Sequence, residues 1–158
     1  MNQSSIQAPL GRLVSGLYIV TAKTATGEET GMLSSWVMQA GFEPPMLTVA
    51  VKLGRYLEEW LTAGTPFNVN ILSESQNAML KHFGRGFEPG EPAFEGLDIT
   101  RCSRGVVILT GTLGHLECEP SAHLDSADHR LFLAKITGGQ LQSEQSPWSH
   151  VRKNGMRY

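Results

Sequence analysis

The stretch from Gly31 to Arg55, GMLSSWVMQAGFEPPMLTVAVKLGR, constrains this chain more than any other part of it. A strand-like run passes through Gly-Met-Leu-Ser-Ser-Trp. Pro44-Pro45 then interrupts it, because proline cannot donate to a strand ladder. A second run, Met46 to Val51, alternates strictly: Leu47, Val49 and Val51 fall on one face and Met46, Thr48 and Ala50 on the other. The basic turn Lys52-Leu53-Gly54-Arg55 follows. Two small hydroxyl residues and a cationic turn are thereby carried to the ends of neighbouring strands. That pairing suits a bound ring that carries a phosphate.

The remainder reads mainly as short strands and tight turns. Leu17 to Thr21 is β-branched and aromatic, so it predicts a strand. Ala25 to Glu28 is a turn, and Thr30 to Met38 is the returning strand of a hairpin. Pro66 to Leu72 predicts another strand. Val106 to Glu119 predicts one long strand, with Gly111 and Gly114 inside it as bulges or corners. Asp125 to Asp128 turns into a strand over Leu131 to Thr137, which Gly138-Gly139 ends.

Three short helices are expected. One covers Leu10 to Ser15, after Pro9 at a first-turn position. A second covers Arg55 to Ala63, closed by Gly64, with Leu57, Trp60 and Leu61 as its apolar face. The third starts at Ser73, where Gln76 completes a capping-box pattern, and buries Met79, Leu80 and Phe83. Gly84 to Gly96 is a long Gly/Pro/Phe loop of the kind that is often functional. Many short strands and few helices predict a closed β-barrel with helical insertions.

The 158 residues suit a single domain able to bury its own core. The polar opening, residues 1–9, reads as a linker, with the domain proper over residues 10–158. A net charge of −2 argues against a nucleic-acid partner. No apolar span is long enough for membrane insertion as a helix. Cys102 and Cys118 have no CxxC spacing, so a reduced, cytoplasmic setting fits better than a disulfide framework. His82, His115, His123 and His150 lack metal-ligand spacing, so no metal site is expected. No GxSxG marks a serine nucleophile and no GxGxxG marks a Rossmann site.

The segments GLYIVTA (Gly16 to Ala22), GMLSSW (Gly31 to Trp36), EPPMLTVAV (Glu43 to Val51), FNVNIL (Phe67 to Leu72), KHFGR (Lys81 to Arg85), ADHRLFLAKI (Ala127 to Ile136) and the terminal HVRKNGMRY occur in family order. Together they resemble the flavin reductase-like family of FMN-binding split barrels. Within that family, the hairpin and basic tail look most like the C-terminal flavin reductase domain of flavodiiron proteins from oxygenic phototrophs. The resemblance implies a mainly β fold: an antiparallel Greek-key split barrel with a few helices. It implies FMN as cofactor, with FAD as the alternative, and NADPH or NADH as a transient hydride donor. The electrons would pass to a flavodiiron core or another acceptor, and the domain would be a homodimer. Two other roles stay open: a non-catalytic flavin-binding module, and a stand-alone reductase feeding a monooxygenase.

The same resemblance distributes roles. Met32, Leu33, Ser34, Ser35 and Trp36 would lie along the flavin ring, where reduction places negative charge and backbone or hydroxyl donors can meet it. Trp36 reads equally well as a core or dimer aromatic. Val51 would contact the cofactor, and Lys52 and Arg55 would hold its phosphate, with Gly54 letting the backbone come close, since a helix start beside cationic side chains favours an anion. Leu53 departs from the small polar residue common in relatives. Phe83 and Arg85 would face the cofactor from the long loop, and His129 is the catalytic candidate beside the incoming nicotinamide. His150, Arg152, Lys153 and Arg157 would run back toward the flavin. Asn70, inside an apolar strand, is expected to bond barrel backbone.

Overall fold

The structure, a computed structural model, describes residues 3–156. Its elements run α1 (Gln3–Gly11), β1 (Tyr18–Lys23), β2 (Glu29–Ser34), β3 (Val37–Phe42), β4 (Pro45–Lys52), α2 (Tyr56–Thr62), β5 (Phe67–Ile71), α3 (Asn77–Gly84), β6 (Ile99–Arg101), β7 (Val107–Leu109), β8 (Gly114–Ser126) and β9 (His129–Leu141).

Seven strands form one antiparallel sheet in the order β2-β1-β5-β8-β9-β4-β3. The two edge strands, β2 and β3, are neighbours in sequence, separated only by Ser35 and Trp36. From Ser34 to Val37 the chain can reach about 11 Å at most. Seven flat strands would hold their edges roughly 29 Å apart. The sheet must therefore roll up until its edges nearly meet, which makes it a split barrel. The single strand expected over Thr30 to Met38 is in fact these two edges, with the crossing at Ser35-Trp36.

Two cores flank the barrel wall. Inside it, Val20, Leu47, Val49, Val51, Phe67, Val69 and Phe132 pack together, and α2 adds Leu57 and Leu61. The β4 alternation predicts this: Leu47, Val49 and Val51 all point inward. The second core lies on the other face of β1, where Ile19 and Leu72 meet Phe83, Phe87, Phe94, Val107 and Leu109. β1 and β5 are consequently buried on both faces.

Polar residues fasten β7 over that outer face. Thr21 Oγ1 donates to the Val107 carbonyl at 2.6 Å, and Asn68 Nδ2 to the same oxygen at 3.1 Å. Asn70 Oδ1 accepts the Leu109 N–H at 2.8 Å while its Nδ2 donates to the Ile19 carbonyl at 3.0 Å. The backbone-bonding role expected of Asn70 is therefore what it performs. An Asn70→Leu variant strands the Leu109 amide and removes the side-chain bond to the Ile19 carbonyl, which keeps its ladder partner. We expect it to lose about 1–2 kcal/mol net in urea unfolding, because the added apolar contact offsets part of the unpaired-group cost.

Several boundaries differ from the sequence expectation. α1 covers Gln3–Gly11, with Pro9 inside its last turn instead of ahead of a helix at Leu10 to Ser15. Residues after Gly11 leave the helix and pair instead with the tail, as Ser15 bridges His150. α3 starts at Asn77, not Ser73, because Ser73 bridges Pro147. Gln76 Oε1 still accepts the Ser73 N–H at 2.8 Å, which is half of the expected capping box. Val106 to Glu119 is two strands in different sheets, split by a turn at Gly111 with φ of +80°. β9 continues through Gly138-Gly139 to Leu141. These glycines allow close approach within the ladder: a Cβ at Gly139 would meet the His115 carbonyl.

Candidate functional site

The crossing at Ser35-Trp36 falls between two ladders. Ser34 is the last β2 residue to pair, with Tyr18, and Val37 is the first β3 residue to pair, with Val49. The end of β4 lies beside this crossing, where the Ala50 N–H donates to the Trp36 carbonyl at 3.0 Å. β4 then delivers Lys52 and the basic turn. Gly54 takes a φ of +78°, which suits glycine, and Arg55 becomes the extended N-cap of α2.

These parts enclose a cavity of about 310 Å³. Met32, Leu33, Ser34, Ser35 and Trp36 form one side, with Lys52, Arg55 and Phe83 around it. The tail contributes His150 and Arg152. A second cavity of about 520 Å³ opens next to it, lined by Gly54, Arg55, Tyr56, Arg85, Glu88 and Glu91 among others. Met32, Arg55 and Gly86 border both, so the two make one cleft with a guanidinium at the junction.

Phe83 belongs to the cleft and to the outer core at once. It is 1% exposed, and its ring lies directly on the β2 backbone. A Cβ at Gly31 would stand 2.5 Å from that ring. Glycine at position 31 is what lets α3 close against the sheet and form the cavity wall.

The basic turn is held from below by a carboxylate that no sequence pattern singles out. Glu58 is buried in α2, and its Oε1 meets Arg130 Nη1 at 2.7 Å. Its Oε2 accepts the Gly54 N–H at 3.4 Å. Arg130 also holds Asp125 at 2.6 Å, which keeps that carboxyl below the usual range. One residue of β9 thus anchors the start of α2 and, through Glu58, the turn.

Among the residues expected at the ring, the phosphate and the nicotinamide, Val51 and His129 stand away from the cleft. Val51 points into the barrel core, 1% exposed, because it shares the inward parity of Leu47 and Val49. Its side chain therefore lines neither cavity, contrary to the expectation. His129 pairs with Lys52 in the β4–β9 ladder and is not among the cavity-lining residues. Its ring centroid lies 4.8 Å from that of Trp36, and its Nδ1 meets Asp128 Oδ1 at 2.8 Å. That bond lowers the Asp128 carboxyl pKa. His129 stands behind the cavity wall, against Trp36.

Arg152 reaches over the Trp36 ring at 5.3 Å, and Arg85 over Phe87 at 4.2 Å. Burial, followed by the Arg152 charge, lowers the His150 pKa, which favours the neutral imidazole. The positive charge of the cavity comes from Lys52, Arg55 and Arg152. Lys153 is exposed and lines neither cavity, and Arg157 lies outside the described residues. Burial pushes the Cys118 thiol up to about 12, which leaves it inert as a nucleophile. Among the described residues, no group of three His, Cys, Asp or Glu could hold a metal, and no helix is long and apolar enough to cross a membrane.

Sequence reasoning missed Gly86, Tyr56, Glu88 and Glu91. For Gly86, Glu88 and Glu91 the long Gly/Pro loop was the available signal, and Gly86, with φ of +77°, sits 3.3 Å from Arg55 Nη1 by its would-be Cβ.

Comparison with known proteins agrees with this geometry. The flavin reductase like domain matches residues 10–155. Diflavin flavoprotein A 1 of Synechocystis sp. is 39% identical over 158 residues, which is 98% of this chain and 27% of that protein. Putative diflavin flavoprotein A 3 of the same organism is 40% identical over 151 residues, 94% of this chain and 25% of that protein. The chain thus spans about a quarter of the length of these relatives. Among solved structures, the styrene monooxygenase flavin reductase of Pseudomonas putida superposes with a TM-score of 0.78 at 26% identity, covering 100% of this chain and 95% of that one. An NADH:FAD oxidoreductase of Streptomyces globisporus, solved with NAD and FAD fragments, reaches 0.83 at 21% identity, over 99% and 90%. With its split barrel, its cleft at the strand crossing and a domain match over nearly its whole length, the chain belongs to the flavin reductase like family.

Proposed function

We propose that this domain is an NAD(P)H:flavin oxidoreductase that binds FMN, with FAD as the alternative, and passes the electrons to a fused flavodiiron core. The observation that carries this reading is the cleft itself. A cavity walled by Met32, Leu33, Trp36 and Phe83 opens beside three cations, Lys52, Arg55 and Arg152. Apolar and aromatic walls suit a planar ring, and the cations suit its phosphate. When bound, the flavin supplies hydride acceptance and one-electron release.

The protein's own contribution is placement and charge. Backbone and hydroxyls at Ser34, Ser35 and Trp36 would offer donors along the ring edge. Lys52, Gly54 and Arg55 would hold the phosphate, with Glu58 keeping the turn in place. Phe83 would back the ring, and Arg85 would serve the larger cavity, where a transient nicotinamide donor would enter. His129 would act through Trp36, orienting that ring. The relatives' names and the matched quarter of their length favour fusion to other redox domains over a free reductase. The working form would be a cytoplasmic homodimer.

The test is an anaerobic titration of the FMN-loaded protein with NADPH and then NADH, followed by flavin absorbance. Rapid bleaching is expected, and the two rates rank the donors. FMN binding without bleaching would support a non-catalytic flavin module instead. No FMN binding would remove the reading altogether.

A further inference from the structure

α1 and the tail meet each other beside Arg152, the tail residue that lines the cleft. Trp148 and His150 hold the tail to the barrel: the Trp148 N–H donates to the Leu72 carbonyl at 3.0 Å, and Ser15 and His150 exchange two bonds of 3.1 and 2.7 Å. Beyond His150 the tail turns to α1. The Arg152 N–H donates to the Gly11 carbonyl at 2.9 Å, and the Gly155 N–H to the Gln7 carbonyl at 2.8 Å. Asn154 Nδ2 adds a bond to Gln7 Oε1 at 3.1 Å.

Two glycines make the contact close. A Cβ at Gly11 would run into the Arg152 carbonyl oxygen, and a Cβ at Gly155 into Leu10. Backbone lies on backbone at both points, and neither collision can be relieved by swinging a side chain. Among the described residues, α1 makes no extensive packing against any other helix or strand of the fold. Its principal described partner is the tail, and the tail carries Arg152 over Trp36 and into the cavity wall.

We infer that α1 and residues 152–155 form a clasp that positions Arg152 in the cleft, making the N-terminal helix part of the machinery that sets affinity for an anionic ligand. Gly11, Gly155 and Gln7 are then positioning residues that act through Arg152. Any force or partner that shifts α1 shifts a cation of the site. This inference rests on the flavin reading for its ligand but not for its geometry.

The test uses Gly11→Ala and Gly155→Ala in the full chain, with two readouts. The first needs no ligand: trypsin cleavage after Arg152 and Lys153, timed by mass spectrometry under native conditions. Opening of the clasp exposes these bonds, so both variants should be cut faster than wild type while thermal unfolding of the barrel changes little. The second is FMN affinity by fluorescence quenching. Each variant should raise Kd about five- to tenfold, the size expected for losing one cation–anion contact. The same substitutions should add nothing in an Arg152→Ala background. Unchanged cleavage in both variants would overturn the clasp. Additive losses in the Arg152→Ala background would overturn its action through Arg152. If wild type binds no FMN, the flavin reading fails, and the cleavage rates alone decide whether the clasp exists.

Discussion

Arg55→Ala should raise the FMN dissociation constant roughly a hundredfold, the cost of losing two charge-assisted hydrogen bonds to one anion. The position of Arg55 is the reason. Among the described residues it is the one charged side chain that borders both cavities of the cleft. It also caps α2, so its backbone stands where helix amides converge. Removing the side chain leaves the turn intact, because Glu58 still holds the Gly54 amide and Arg130 still holds Glu58. The loss should therefore appear in binding and not in the unfolding midpoint. Arg55→Lys should recover only part of the affinity, since an ammonium cannot reproduce the planar fork. Arg101→Ala is the matched control. Arg101 pairs with Glu29 at 2.7 Å and lines neither cavity, so FMN affinity should not move. An unchanged Kd in Arg55→Ala, measured by isothermal titration calorimetry, would exclude it as a phosphate ligand.

How much of this was readable beforehand depends on whether a signal was local. The β4 face was legible because alternation with one buried side leaves a period-two mark on the sequence. The basic turn was legible because glycine and cations at a strand end form a short pattern. The crossing at Ser35-Trp36 was not. Residues 30–38 read as one strand, and only the pairing of the whole sheet shows that they serve its two opposite edges. The division of Val106 to Glu119 was hidden for a similar reason. Both halves are strand-like, and a positive φ at Gly111 separates them. Glu58 is the clearest omission. An acidic residue in a first helical turn ordinarily faces water, and its partner Arg130 is 72 positions away. Val51 shows the opposite error. Its neighbours Lys52 and Gly54 do border the cleft, but strand parity turns Val51 inward. Resemblance placed the tail near the site, whereas its attachment to α1 came only from the fold.

Phe83→Ala should be the most damaging single change to the fold, costing about 3–5 kcal/mol as a buried aromatic truncation that leaves a cavity. The ring is the hub of the outer core. It lies 5.8 Å from Phe87, 6.2 Å from Phe94 and 4.7 Å from His82, so it ties α3 to the loop that follows. Its loss frees that loop from the barrel and removes one wall of the smaller cavity. Thermal unfolding should fall by roughly 10 °C or more for a domain of this size. Phe42→Ala, at a side chain 88% exposed on β3, should stay within about 0.5 kcal/mol and serves as the control. Gly31 supplies the sharper test. Gly31→Ala alone should be strongly destabilising, because its new methyl meets the Phe83 ring. In the Phe83→Ala background the same methyl enters the space the ring vacated, with the Phe94 ring 3.2 Å away, and most of its cost should vanish. Urea midpoints for the four proteins of that cycle measure the coupling directly. Additive losses would mean that the ring does not lie on the β2 backbone, and the account of how α3 walls the cleft would fall with it.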